Sequence, residues 1–177
     1  MTEDEARAWM TETLDVSRET LDRLAAFTAA VVAENGRQNL ISAATIPQIW
    51  VRHILDSAQL LRFELAREPS PWLDLGTGAG FPGIVIAIVS SRPVVLVESR
   101  RKRFEFLSGQ VEALKLTHVS VHGGRLEALV SQPAGIISAR AFAPLPKLLA
   151  LAHRFSTEKT LWLLPKGRSA REELESV

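Results

Sequence analysis

The residues whose types and spacing could do chemistry sit at the ends of short apolar runs. The first set lies in the string P-W-L-D-L-G-T-G-A-G-F-P-G at residues 71–83, where Asp74 stands just ahead of Gly76, Gly78 and Gly80. Glycines here allow positive φ and let a ligand approach the backbone without a Cβ in the way. A carboxylate beside such a turn suits a cationic or hydroxyl-bearing ligand better than a bare phosphate. Gly78–Gly83 also matches G-x-G-x-x-G, so a dinucleotide enzyme is a reading to weigh. Glu98 ends the next apolar run, 22 residues after Gly76. An acid in that place receives the ribose hydroxyls of an adenosine and rejects a 2′-phosphate.

Further candidates follow later runs. His122-Gly123-Gly124-Arg125-Leu126-Glu127 follows the third and is a candidate loop for an adenine. Arg140 emerges from the fourth with Phe142 close behind, and Lys166 follows the fifth in Pro165-Lys166-Gly167. Phe142 reads first as a core residue, and Lys166 reads equally as a phosphate contact or a solvated lysine. His53 and Asp56, beside Arg52, have the spacing of an acid–base pair, although a local hydrogen-bonded cluster is the stronger reading. Arg100–Arg103 places cations at a helix start, against the dipole, which suits a phosphate backbone or a solvated face. The four histidines show no metal-ligand spacing, and the absence of cysteine removes thiolate metal sites, disulfides and cysteine nucleophiles.

These residues need a scaffold of parallel strands. Apolar β-rich runs at Trp72–Leu75, Val94–Glu98, Val119–His122, Gly135–Ala139 and Thr160–Leu164 alternate with helical patterns over 82–90, 100–115, 124–131 and 144–156. That alternation predicts right-handed βαβ units and a parallel sheet covered on both faces. Residues 1–68 read as an N-terminal helical cap, and 69–177 as the ligand-binding domain, one compact unit. In the cap, Ser17 predicts a helix start and Asn35-Gly36 its end; Thr45 with Pro47 predicts another helix, whose apolar stripe continues through Leu60, Leu61 and Leu65.

With 177 residues and 46% hydrophobic content the chain has material for one core. Its longest apolar run, Ile84–Val89, is far too short to span a bilayer, and the acidic start M-T-E-D-E-A-R is no export signal. A cytoplasmic monomer is the expectation. The net charge is only +1, but seven acids crowd residues 1–22 while Arg92 and Arg100–Arg103 crowd 92–103, so an anionic partner on one face is permitted.

Asp74, the glycine turn and Glu98, with no second mononucleotide half, argue for a nucleoside with a short charged tail. S-adenosylmethionine fits, its ribose toward Glu98 and its charged end near the turn and Asp74. The strings D-L-G-T-G-A-G-F-P-G-I (74–84), V-E-S-R-R-K-R-F-E-F-L (97–107), S-A-R-A-F-A-P-L (138–145) and L-P-K-G (164–167), with N-L-I-S (39–42) and R-H-I-L-D-S (52–57), resemble the bacterial small-subunit rRNA methyltransferases of the glucose-inhibited division protein B family. The resemblance runs over nearly the whole chain. It implies a Rossmann-like class I methyltransferase fold, with a mostly parallel central sheet, flanking helices and the helical cap. It implies S-adenosyl-L-methionine as cofactor, 16S rRNA or the 30S ribosomal subunit as partner, and methylation at N7 of guanine 527 in the 530 loop. Cofactor contacts are implied at Gly76, Phe81, Leu126, Glu127 and Arg140, and substrate-side places for Asn39 and Lys166. Such folds continue into an antiparallel strand pair, which this chain, ending at Val177, does not reach; a truncated chain is therefore expected.

Guanine N7 carries a lone pair and no proton, so its methylation needs no general base and rests on positioning. Ala141-Phe142-Ala143-Pro144 offers no side-chain acceptor for an exocyclic amine, and cytosine C5 chemistry would need a cysteine. Phe142 or Phe81 is expected against the target base or the methyl donor, and Arg140 to position one of them. The competing readings are an NAD-type Rossmann oxidoreductase, a methyltransferase for another RNA or a small molecule, and a non-enzymatic RNA-binding module using Arg100–Arg103.

Overall fold

The computed structural model describes residues 1–63, 70–167 and 170–175; Leu65 and Val177, invoked above, lie outside them. Helix α1 (Glu3–Leu14) opens on a reciprocal cap, in which the Thr2 hydroxyl accepts the Glu5 N–H and the Glu5 carboxylate accepts the Thr2 N–H. Helix α2 (Arg18–Gln38) starts at Ser17, whose hydroxyl accepts the Thr20 N–H. It does not stop at Asn35-Gly36. The Asn35 side chain is buried and its Oδ1 accepts the Ile41 N–H at 2.8 Å, so it secures the outgoing chain from within the helix. Asn39 supplies the left-handed cap instead, at φ 45°.

The helix expected from Thr45 onward is a series of short turns. A 3-10 turn (Ala43–Gln48) holds Pro47, a π-helical turn (Trp50–Leu55) follows, then one α-turn, α3 (Asp56–Ala58), and a further 3-10 turn (Gln59–Phe63). The Glu3 carboxylate accepts the N–H groups of Trp50 at 3.0 Å and Val51 at 3.2 Å. One acid of the acidic N-terminal stretch thereby fastens α1 to the π-turn.

Five parallel strands form the sheet among the described residues: β1 (Trp72–Leu75), β2 (Val94–Glu98), β3 (Val119–Gly123), β4 (Ile136–Ala139) and β5 (Leu161–Leu163), in the order β3-β2-β1-β4-β5. Every residue of β1 and β4 is buried, as strands covered on both faces require. Leu75 pairs with Val97 on one side and Ala139 on the other, which brings Gly76, Glu98 and Arg140 to one end of the sheet. There the strand order reverses, the place where open α/β sheets bind ligands.

Helices α4 (Gly83–Val89), α5 (Arg101–Ala113), α6 (Leu145–Ala152) and α7 (Ala170–Glu175) complete the described residues. The helix expected over 124–131 is a single 3-10 turn, Leu126–Ala128. The Arg154 guanidinium donates to the carbonyls of Leu126 at 2.6 Å and Leu129 at 2.8 Å, two acceptors a helix would use internally. Alternation along β1 divides the core. Trp72 packs with Leu24, Phe27 and Val31 of α2 and with Ile84 of α4, whereas Leu73 and Leu75 pack with Ile137, Leu148 and Phe155 on the other face. The cap and sheet domain thus share one continuous apolar cluster. No helix among the described residues is long and apolar enough to cross a membrane.

Candidate active site

The glycine turn leaves β1 with φ of 64° at Gly76, 61° at Gly78 and 100° at Gly80. A Cβ on Gly76 would stand 2.7 Å from Phe142 Cδ2, and one on Gly80 2.8 Å from Ile84 and 2.9 Å from Phe27. Gly76 is required because the Phe142 ring lies on it, Gly80 because the turn is pressed into the cap. Glu98 is buried and doubly held: Oε2 accepts the Gly78 N–H at 3.0 Å and Oε1 the Arg100 N–H at 2.8 Å. Each oxygen keeps further acceptor capacity.

Glu98 and Gly76 line a cavity of about 470 Å³ outside the carboxyl ends of the strands. Arg100 and Arg103 wall it from the start of α5, the segment 124–127 from beyond β3, and Ala141–Ala143 from beyond β4. Lys147 and Leu151 close it from α6. A second cavity, about 780 Å³, shares Ala141, Phe142 and Ala143 with the first. Arg52 and Asp56 of the cap, Arg140, Lys166 and Glu173 line it. A groove of about 460 Å³ adjoins it, sharing Asp56, Arg140 and Lys166 and running on past Leu60, Phe63 and Trp162. Three residues after β4 therefore form a partition between a nucleoside-sized pocket and a wider opening lined with charge.

The expected cofactor residues divide in two. Gly76, Glu98, Leu126 and Glu127 line the first cavity, and Gly78 reaches it through its bond to Glu98. Gly80, Phe81 and Asp74 lie behind it. Asp74 shares the face of β1 that Trp72 occupies, toward α4, and is wholly buried. Its Oδ2 accepts the Gly83 N–H at 2.9 Å, and its Oδ1 accepts the Ser138 hydroxyl at 2.6 Å. Ser138 in turn accepts the Trp72 indole N–H at 2.8 Å. Burial pushes the Asp74 pKa up, against the opposing pull of the Ser138 bond and the Gly83 N–H. Asp74 braces the glycine turn from below and makes no part of the cavity wall. Phe81 is buried between rings, stacked on His53 at 4.9 Å and edge-on to Phe27 at 5.5 Å.

Arg140, expected as a cofactor contact and positioning residue, lines the second cavity and not the first; Lys166, expected on the substrate side, lines the second as well and donates to Glu173 at 2.6 Å. Asn39 reaches neither cavity; it is the exposed cap of α2. Arg100 and Arg103 of the basic run face the first cavity, while Arg101 pairs with Glu105 at 2.8 Å. His53 and Asp56 do not form an acid–base pair. The His53 ring is buried, its Nε2 bonds the Thr45 hydroxyl at 2.9 Å, and its Nδ1 is buried without a partner in the structure. Burial first, then Arg140 and Arg52, lower its pKa from 6.5 to about 4. Lys147 and Leu151 were not singled out from the sequence, although their i,i+4 spacing puts them on one face of α6. Arg154, which fixes the loop after β3, lies 28 residues downstream of Leu126 and left no local signal.

This sheet order, with a glycine turn after β1 and an acid ending β2, is the architecture of the S-adenosylmethionine-dependent methyltransferases. The fold matches the crystal structure of such a methyltransferase from Aquifex aeolicus at TM-score 0.51 and 18% identity, over 67% of this chain and 71% of that one. It also matches Pyrococcus horikoshii TYW2, solved with MeSAdo, at TM-score 0.54 and 17% identity, over 65% and 46%. The family model described as rRNA small subunit methyltransferase G matches residues 20–177, and the chain belongs to that family. Proteins named ribosomal RNA small subunit methyltransferase G are 55% identical in Erythrobacter litoralis, over 99% of this chain and 84% of the relative. In Sphingopyxis alaskensis the figures are 53% identity, 96% and 72%.

Proposed function

We propose that the chain transfers a methyl group from S-adenosylmethionine to N7 of a guanine in 16S rRNA, the guanine 527 implied by the family resemblance. The observation that carries this reading is the shared wall, Ala141–Ala143, between a pocket of nucleoside size and a charged, wider opening. The cradle fits the cofactor: Gly76 admits an approach that a Cβ would close, and Glu98 offers a fixed carboxylate with acceptor capacity left over. Glu98 would hold the ribose hydroxyls, Gly124–Glu127 the adenine, and the turn at Gly76–Gly78 the amino-acid end. When bound, S-adenosylmethionine supplies an electrophilic methyl on a cationic sulfur.

The work of the chain is then alignment and exclusion of water. Phe142, resting on Gly76, is an apolar lining where the two openings meet. Arg140, half-buried in the second cavity, positions the base or its phosphate. An N7 lone pair held in line would take the methyl, leaving the carbon–sulfur electron pair on sulfur. No proton is released from N7, so no side chain has to accept one, in keeping with the buried, neutral His53. The RNA would lie over the rim, where Arg52, Arg100, Arg125 and Lys166 stand.

Tritiated S-adenosylmethionine offered with 30S subunits, naked 16S rRNA and 70S ribosomes tests the reading. Label is expected in 16S rRNA and, after nuclease digestion, in 7-methylguanosine. Label in another nucleoside would overturn the N7 assignment, and no label in any RNA would overturn the RNA assignment.

A further inference from the structure

We infer that Asp56 reads the target base, its carboxylate accepting the N1–H and N2–H groups of guanine. The inference rests on the N7 reading above and adds to it the group that distinguishes guanine from other purines. Asp56 lies at the junction of the second cavity and the adjoining groove and lines both. Among the described residues it closes no ion pair; its only side-chain bond is a long 3.4 Å contact from Gln59. Arg140 and Arg52 are near enough to act on its charge, yet neither guanidinium occupies its oxygens. The other carboxylate of this cavity, Glu173, is taken by Lys166. Asp56 is thus an uncommitted two-oxygen acceptor facing the opening that a base would enter.

The chemistry of guanine matches that arrangement. A base whose N7 faces the Ala141–Ala143 partition turns its Watson–Crick edge away from it, toward the cap. That edge presents two adjacent donors, N1–H and N2–H, which a carboxylate accepts side by side, with O6 between N1 and N7. Arg140, on the same cavity wall, is a donor suited to O6. Adenine, with an acceptor at N1 and an amine at C6, would set its N1 lone pair against the Asp56 charge. The carboxylate also favours the transition state. As the methyl moves, positive charge develops on the base and its N1–H becomes more acidic, so the bonds to Asp56 strengthen as the reaction proceeds.

The test uses full-chain protein and 16S rRNA carrying guanine, inosine or 7-deazaguanine at the target nucleotide. Inosine lacks only the N2 amine. Wild-type enzyme is expected to methylate inosine RNA with kcat/KM lower by about tenfold or more than guanine RNA. Asp56→Ala is expected to bring the two substrates within about threefold of each other, chiefly by losing rate on guanine, while still binding S-adenosylhomocysteine as wild type does. Filter binding with S-adenosylhomocysteine present should show the same loss of guanine-over-inosine preference without any turnover. Equal use of guanine and inosine RNA by wild type, or full discrimination by both Asp56→Ala and Asp56→Asn, would overturn the inference. Methylation of the 7-deazaguanine RNA would instead overturn the N7 reading, so the two failures are distinct.

Discussion

Single residues carry the site by what they exclude as much as by what they bind. Glu98 is held by two backbone N–H groups before any ligand arrives, so its carboxylate is already aimed. Glu98→Gln replaces one oxygen by a donor that faces N–H groups. It is expected to weaken S-adenosylmethionine binding about tenfold or more in calorimetry, charge-assisted bonds being worth ~1.5–3 kcal/mol each. Gly76→Ala would force an L-residue to a φ of 64° and push a Cβ against Phe142. About 1–2 kcal/mol of strain is expected, together with reduced cofactor affinity, read from thermal melts with and without S-adenosylhomocysteine. Arg140→Ala should abolish methyl transfer while the circular dichroism spectrum and melting temperature stay at wild-type values; unchanged turnover would remove Arg140 from the substrate side.

At the scale of elements, the cap is a wall of the site. α2 sends Phe27 against Phe81 and the glycine turn, and the π-turn sets His53 on the other side of the Phe81 ring. Phe27→Ala should cost about 3–5 kcal/mol in urea unfolding, and the turn it supports should bind cofactor less well. His53 gives this region a pH dependence whose sign is fixed. Its pKa is about 4 in the folded chain against an ordinary 6.5, so the unfolded chain takes up the proton first. Stability from this group is complete above pH 6.5 and is lost as pH falls toward 4, by about 1–2 kcal/mol at pH 5. His53→Phe should remove that part of the difference between urea midpoints at pH 7.5 and pH 5.

Legibility in the sequence follows the range of the interactions. The strands are legible for two reasons: β1 and β4, buried at every residue, leave continuous apolar runs, whereas the more exposed β3 leaves an alternating one, V-S-V-H. Glu98 is legible because a strand end beside a glycine turn has a fixed place in such sheets. A letter beside a glycine turn does not say on which face of β1 Asp74 lies; the period of two, counted from Trp72, puts it toward α4 and away from the cavity wall. The missing helix after β3 and the broken helix after Thr45 depend on distant partners, Arg154 in the first case and Glu3 in the second. No local pattern encodes a bond across that separation. In the sequence Arg100–Arg103 suits a phosphate backbone or a solvated face; that Arg100 and Arg103 border the Glu98 cavity depends on how α5 lies against the sheet, which no local pattern encodes.

For the molecule as a whole, charge is arranged and not merely present. A net charge of +1 gives no general attraction to RNA, whereas Arg52, Arg100, Arg103, Arg125, Arg140 and Lys166 all border the two cavities. Binding to rRNA is therefore expected to weaken with salt, with a log–log slope on the order of −2 to −4, and Arg125→Ala should flatten it by roughly 0.7–0.9. The central claim is that the Glu98 cavity holds an adenosyl sulfonium. Isothermal titration of the full chain with S-adenosylmethionine and, separately, NADH measures this most directly. One S-adenosylmethionine site that Glu98→Gln weakens, with no heat from NADH, is the predicted result; NADH binding, or S-adenosylmethionine binding indifferent to Glu98, would contradict it.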